Sequence, residues 1–244
     1  MALEASGLTV GYGDTLILRD IHFRVEAGSF SCLLGPNGAG KSTLLRALVG
    51  THPSQGMRKL DGAPMTELGP RKKAQLLGYL PQEIQPAFSL TVAESVELGA
   101  RVATKPVSIE SSLRSVDAED LLHRHLNELS GGERRRVLLA GVLAQQPRYL
   151  LLDEPAAMLD LGHQAELFDH LRKLSKRGLG ILCVTHDVNL AAQFADQLHF
   201  LTPSAKILSG TPTELLTDAP LRETFGHRFE ILPRENHVPV IVPR

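Results

Sequence analysis

Residues 35–43, Gly35-Pro36-Asn37-Gly38-Ala39-Gly40-Lys41-Ser42-Thr43, constrain the fold more than any other stretch. They fit the pattern G-x-x-x-x-G-K-[ST], a loop whose backbone N–H groups cradle phosphates, provided that a strand precedes it and a helix follows. Both neighbours are present. Phe30-Ser31-Cys32-Leu33-Leu34 is a short apolar run that suits a strand buried on both faces. Residues 43–49 keep helical spacing until Gly50. Gly35, Gly38 and Gly40 allow close approach of the backbone, and the following helix aims its N-terminal dipole at the phosphates. Lys41 is expected to reach the β- and γ-phosphates, and the Ser42 hydroxyl to ligate Mg²⁺.

Two further apolar runs, Tyr149-Leu150-Leu151-Leu152 and residues 180–185, flank a helix-like segment at 164–175. That βαβ pattern implies a parallel sheet and an α/β fold. Residues 8–26 look like antiparallel strands, with alternation in Ile21-His22-Phe23-Arg24-Val25-Glu26. Residues 83–128 are polar and carry helix-like pieces at 92–99 and 118–125, which reads as a helical insertion. Thr211-Pro212-Thr213-Glu214 fits a capped helix start, and the apolar pieces 229–232 and 239–242 are expected to pair as a small hairpin. The organisation expected is one domain in four parts. Residues 1–82 form an antiparallel β-subdomain with the phosphate-loop part of the core, and 83–140 a helical subdomain. Residues 141–210 complete the α/β core, and 211–244 add a helix and a short β extension.

The run Arg148-Tyr149-Leu150-Leu151-Leu152-Asp153-Glu154-Pro155 is an apolar strand that ends in two carboxylates. Asp153 there is placed to support a metal, and Glu154 to polarise an attacking water. Leu129-Ser130-Gly131-Gly132-Glu133 contains a capping box ahead of a helix over 133–146, closed by Pro147. A helix start with two glycines exposes several N–H groups and makes an anion site. Arg134, Arg135 and Arg136 lie in its first turns, where positive charge opposes the dipole; they read either as a solvated basic face or as part of a site.

A hydrophobic share of 43% and a charged share of 22% are ordinary for a globular chain. A net charge of −1 lacks the basic footprint of nucleic-acid binding. Cys32 and Cys183 sit inside apolar runs and read as buried, reduced thiols. Neither a spanning helix nor a signal peptide is apparent, so a soluble, cytosolic chain is expected, tethered to any membrane by another protein. His123, His125 and His163 do not form a credible metal site.

Taken together, the phosphate loop, the LSGG stretch and the strand carboxylates resemble the nucleotide-binding subunits of ABC transporters, over nearly the whole chain. The resemblance implies a P-loop NTPase core of ABC ATPase type, with an antiparallel β-subdomain and an inserted helical subdomain. It places Tyr12 at the adenine-stacking aromatic and Gln82, in Gly78-Tyr79-Leu80-Pro81-Gln82, at the loop glutamine that contacts the metal. It places His186, in Val184-Thr185-His186-Asp187, at the switch histidine that senses the γ-phosphate, and Asp160 at the aspartate of the following loop. By the same resemblance, two copies pack head to tail around two ATP, each held by Gly35 to Thr43 of one copy and Ser130, Gly131 and Gly132 of the other. Glu154, His186, Gln82 and Lys41 are then the catalytic set, and Ser42, Gln82 and Asp153 the ligands of Mg²⁺. Two departures stand out. Ala157-Met158-Leu159-Asp160 replaces the family's common Ser-Ala-Leu-Asp, which removes a hydroxyl that reaches across the dimer, and Glu133 stands where glutamine is frequent.

The chain carries no membrane helices, no long coiled-coil insertion and no second ATPase unit, which leaves a separate subunit working with permeases. Residues 78–82, 90–99, 161–164 and 185–192, and the tail around Phe225-Gly226, are similar to the importers of iron-siderophores, haem and vitamin B12. Residues 159–164 lean slightly toward the vitamin B12 branch. The expected partners are a second copy, integral-membrane permease subunits and, indirectly, a periplasmic or surface substrate-binding protein, at the cytoplasmic face of the membrane. The alternatives are a regulatory ATPase without a membrane partner, or the detached ATPase of an exporter.

Overall fold

The computed structural model describes residues 1–13, 15–82, 90–226, 229–235 and 237–243. In chain order the elements begin with β1 (Ala2–Tyr12), β2 (Thr15–Glu26), β3 (Phe30–Leu34), α1 (Lys41–Val49), β4 (Gln55–Leu60), β5 (Ala63–Pro64), α2 (Pro70–Leu76) and β6 (Leu77–Leu80). Then come α3 (Val92–Ala100), α4 (Ile109–Arg114), α5 (Gly131–Ala144), β7 (Tyr149–Asp153), α6 (Leu161–Lys176), β8 (Gly180–Val184) and α7 (Val188–Phe194). The chain ends with β9 (Gln197–Leu201), β10 (Ile207–Gly210), α8 (Pro212–Leu215), α9 (Asp218–Phe225), β11 (Phe229–Arg234) and β12 (His237–Pro243).

The main sheet has the order β10-β9-β3-β8-β7-β6, parallel except for β10 at its edge. Every residue of β3, β7 and β8 is buried, as their unbroken apolar runs require. Their side chains divide between two cores. Phe30, Cys32, Leu34, Leu150, Leu152, Ile181 and Cys183 join one apolar cluster, while Leu33, Leu151, Leu182 and Val184 join the other. The second cluster is closed by α1 and by an antiparallel sheet of order β2-β1-β4-β5. In β2 the alternation is visible directly: Ile21, Phe23 and Val25 are buried, and His22, Arg24 and Glu26 are exposed. Cys32 and Cys183 are register neighbours on β3 and β8, both fully buried and free. Burial pushes the Cys32 thiol up, further still beside Cys183.

The helical insertion is built on α3 and α5, which cross where Gly99 meets Gly141; a Cβ on Gly99 would run into the Gly141 carbonyl. Its other helix, α4, was not anticipated; Ser108 caps it by accepting from the Ser111 N–H at 3.1 Å. The helix expected over 118–125 is instead one 3₁₀ turn, Glu119–Leu121, followed by irregular chain. The reason lies in competing backbone bonds. Val92 N–H donates to the Arg124 carbonyl and Leu126 N–H to the Leu90 carbonyl, both at 2.9 Å, and His125 bridges Thr91 in an extended conformation. Residues 83–89 of the expected insertion lie outside the described residues. The two tail pieces do pair, as β11 and β12. Among the described residues no helix is long and apolar enough to cross a membrane.

Candidate functional site

The loop after β3 leaves the sheet at Gly35 and enters α1 through Gly40, with Gly38 (φ 78°) and Gly40 (φ 100°) in left-handed backbone conformations. Nothing lies within 4 Å of where a Cβ on Gly38 would stand, so the loop faces open space. At Gly40 a Cβ would press on the Ile17 side chain. Lys41 is buried, and its ammonium donates to the carbonyls of Gly35 (2.9 Å) and Pro36 (3.0 Å). Burial pulls its pKa down, against the opposing pull of Glu154 and Asp153. A cleft of about 530 Å³ opens over the loop, lined by Ile17, Asn37, Gly38, Gly40, Lys41, Ser42, Thr43, Gln82, Glu154 and His186.

The sheet delivers the remaining groups from the C-terminal ends of its parallel strands. Asp153, the last residue of β7, is 1% exposed and accepts from the Ser42 hydroxyl at 3.2 Å. Burial holds its carboxyl above the usual range, although the Ser42 bond pulls the other way. Glu154 follows at φ 51°, a left-handed conformation rare for a residue with a Cβ. That turn sends its carboxylate away from Asp153 toward two partners. His186, just past β8, lies with Nε2 2.6 Å from Glu154 Oε1, and the Gln82 amide, just past β6, donates to Oε2 at 2.9 Å. Three strands thus converge on one carboxylate.

The paired hard oxygen donors of the partly buried Ser42 and the buried Asp153 fit a magnesium ion, which is held by one or two carboxylates and completed by substrate phosphates. Among the described residues there is no cluster of three or more His, Cys, Asp or Glu that would form an all-protein cage.

Ser130, Gly131 and Gly132 do not line this cleft. They begin α5, where the Ser130–Glu133 capping box is formed in both directions. The two glycines face the loop at 157–160: a Cβ on Gly131 would stand 2.8 Å from Met158 Sδ, and one on Gly132 3.2 Å from Leu159. Asp160 caps α6, accepting from the His163 N–H at 3.0 Å and meeting its ring at 2.8 Å, and these bonds hold its carboxyl below the usual range. Tyr12 is half-exposed, tilted against the His52 ring at 4.4 Å and 3.4 Å from the Arg46 guanidinium. It is not among the cleft residues.

The arginines are not a solvated face. Arg134 donates to the carbonyls of Leu126 (2.9 Å) and Leu129 (3.2 Å). Arg135 donates to the carbonyls of Pro81 (2.5 Å), Gln82 (2.8 Å) and Asp153, and burial lowers its pKa. It thereby ties α5 to the Gln82 loop and to the end of β7. Sequence reasoning missed this role and that of Ile17; the only available signal was three cations placed against the helix dipole.

The sequence pattern of the ABC transporter family matches residues 18–157. The chain belongs to the ABC transporter family. It is an ATP-binding, ATP-hydrolysing subunit of a transporter. The hemin import ATP-binding protein HmuV of Ruegeria sp. (strain TM1040) is 40% identical over 237 residues, spanning 93% of this ABC subunit and 91% of that protein. A chain of an inward-facing ABC transporter described as metal-chelate type superposes with a TM-score of 0.81 at 26% identity, covering 100% of this chain and 97% of that one. The dimeric bacterial cassette MJ0796 gives a TM-score of 0.76 at 25% identity, with 86% and 98% covered.

Proposed function

We propose that this subunit energises import of a metal chelate, hemin in the first place, through integral-membrane permease subunits at the cytoplasmic face of the membrane. A substrate-binding protein on the far side is the indirect partner. The name of the relative from Ruegeria shifts the weight to hemin from the vitamin B12 lean of residues 159–164. The observation that carries the ATPase chemistry is the convergence of Gln82, Glu154 and His186 over the phosphate loop.

In this reading Asn37 to Thr43 hold the phosphates through backbone N–H groups, and Lys41 exchanges its two loop carbonyls for phosphate oxygens. Ser42, Asp153 and Gln82 would hold Mg²⁺, which when bound would supply positive charge against the negative charge of the phosphates. Glu154 orients the attacking water and takes its proton, while His186 fixes the Glu154 carboxylate and reaches the γ-phosphate. Tyr12 stacks on the adenine. Ser130, Gly131 and Gly132, remote from their own phosphate loop, serve the nucleotide of a second copy, with Asp160 beside them. A helix N-terminus delivered in trans adds preorganised donors to the γ-phosphate.

The test is growth of a strain lacking this chain, with hemin as its iron source. The wild-type gene is expected to restore growth and Glu154→Gln to fail. Restoration of vitamin B12 or siderophore use in place of hemin use would overturn the cargo.

A further inference from the structure

His186 is nearly half exposed, and its polar contact is the Glu154 carboxylate. Its place is therefore set by the backbone on either side. Upstream, β8 is wholly buried and paired on both sides, with β3 and β7. Downstream lies α7, only seven residues long and marginal as an isolated helix. Its far end is held by Arg172, which donates to the Phe194 carbonyl at 2.9 Å, and its middle by the buried Ala191 and Ala192; two further ties lie next to His186. Asp187 caps it, accepting from the Leu190 N–H at 2.8 Å. Asn189, in its first turn, is bound to the C-terminal hairpin: its amide donates to the Ile241 carbonyl at 3.0 Å, and its side-chain oxygen accepts from the Ile241 N–H at 2.8 Å. Ile241 is itself 4% exposed and part of the apolar cluster beneath the main sheet. One amide thus satisfies both backbone groups of an anchored strand residue from a position three residues beyond His186.

We propose that Asn189 is a positioning residue for ATP hydrolysis, and that the β11–β12 hairpin holds the histidine in register with Glu154 through it. The proposal rests on the assignment of His186 to the hydrolytic site. A displacement of about 1 Å at a reacting group is enough for a rate loss of order 100-fold, and the clamp ties α7 directly to the tail. Among the described residues, none of the hairpin lines the cleft over the phosphate loop, so nucleotide affinity is expected to change little.

The experiment is steady-state ATPase kinetics of the full chain with Asn189→Ala, Asn189→Asp, His186→Ala and the double variant His186→Ala/Asn189→Ala. Asn189→Ala is expected to lower kcat about tenfold with KM for ATP changed by less than about twofold. Asn189→Asp, which keeps the acceptor for the Ile241 N–H, should recover part of the loss. On the His186→Ala background, Asn189→Ala should have no further effect, because residues acting through one group are not additive. Equal proportional losses on both backgrounds, or a fall in kcat accompanied by a matching rise in KM and loss of thermal stability, would reduce Asn189 to a structural role. Wild-type kcat in Asn189→Ala would overturn the clamp while leaving His186 in place. Wild-type kcat in His186→Ala would instead overturn the assignment of the histidine.

Discussion

Glu154 illustrates how a single backbone angle organises the chemistry. At φ 51° it turns off the end of β7, so two carboxylates adjacent in sequence serve different partners: Asp153 the Ser42 hydroxyl, Glu154 the His186 ring and the Gln82 amide. Strained conformations of this kind persist only where the surroundings over-determine them. Glu154→Gln is expected to bind ATP with near wild-type affinity and to lose turnover at least about 100-fold, the scale of a general base; single-turnover hydrolysis checks it. Asp153 makes a prediction of the opposite kind. Its folded pKa is raised, so the cost of ionising it in the fold is absent below the ordinary carboxylate value, grows as pH rises above that value, and is full above the raised folded pKa. Without nucleotide, Asp153→Asn should therefore melt higher than wild type at neutral pH. The gap should close as pH falls into the acid range, while stabilisation by Mg²⁺ with ATP disappears in the variant. Thermal melts across pH decide both.

Elements set the next level of constraint. The crossing of α3 on α5 depends on Gly99 and Gly141, but not equally. A methyl on Gly99 meets a backbone carbonyl that cannot yield, whereas one on Gly141 meets the Ser95 carbonyl at 3.2 Å. Gly99→Ala should lose about 1–3 kcal/mol of stability, the overpacking range, and Gly141→Ala clearly less, as read by chemical denaturation. His199 on β9 is buried, faces the ring of Phe23 on β2 at 4.5 Å and contacts the Ser209 hydroxyl on β10 at 2.7 Å. Burial pulls its pKa down to about 4 from an ordinary 6.5. The unfolded chain therefore takes up a proton first as pH falls. Stability is full above the ordinary value and declines down to about pH 4, by up to about 3 kcal/mol. His199→Gln, which keeps a polar partner for Ser209, should flatten that acid dependence in urea titrations.

At the scale of the whole molecule, the phosphate loop and the proposed second half-site at the start of α5 face different ways. The phosphate loop looks into its own cleft, while Gly131 and Gly132 look toward the loop carrying Leu159 and the exposed Met158. With ATP and Mg²⁺, Glu154→Gln should elute at twice the 26.5 kDa of one chain, and Lys41→Ala should remain monomeric with nucleotide affinity lost. Size-exclusion chromatography with light scattering gives the answer. The expectation about the loop at 157–160 is sharpened in the same view: the methionine that stands among the family's usual small residues packs on the LSGG glycine of its own chain.

Local order decided a great deal in advance. The apolar runs at 30–34, 149–152 and 180–185 could be read as buried parallel strands because a strand covered on both faces has no polar alternation to obey. The phosphate loop, the two capping boxes and the tail hairpin were legible because each is set by residues close together in sequence. The helix expected at 118–125 failed where local preference was outbid by bonds to residues 90–92, more than 30 positions upstream. Arg135, Asn189 and Ile17 were invisible for a related reason. Each acts on backbone or side chains brought near only by the sheet order, and no local spacing encodes that order. Residue identity specified which groups this site contains. The parallel order β3-β8-β7-β6 alone decided that Ser42 meets Asp153, and that Gln82 and His186 meet on one carboxylate, because non-local distance is a property of the packed core.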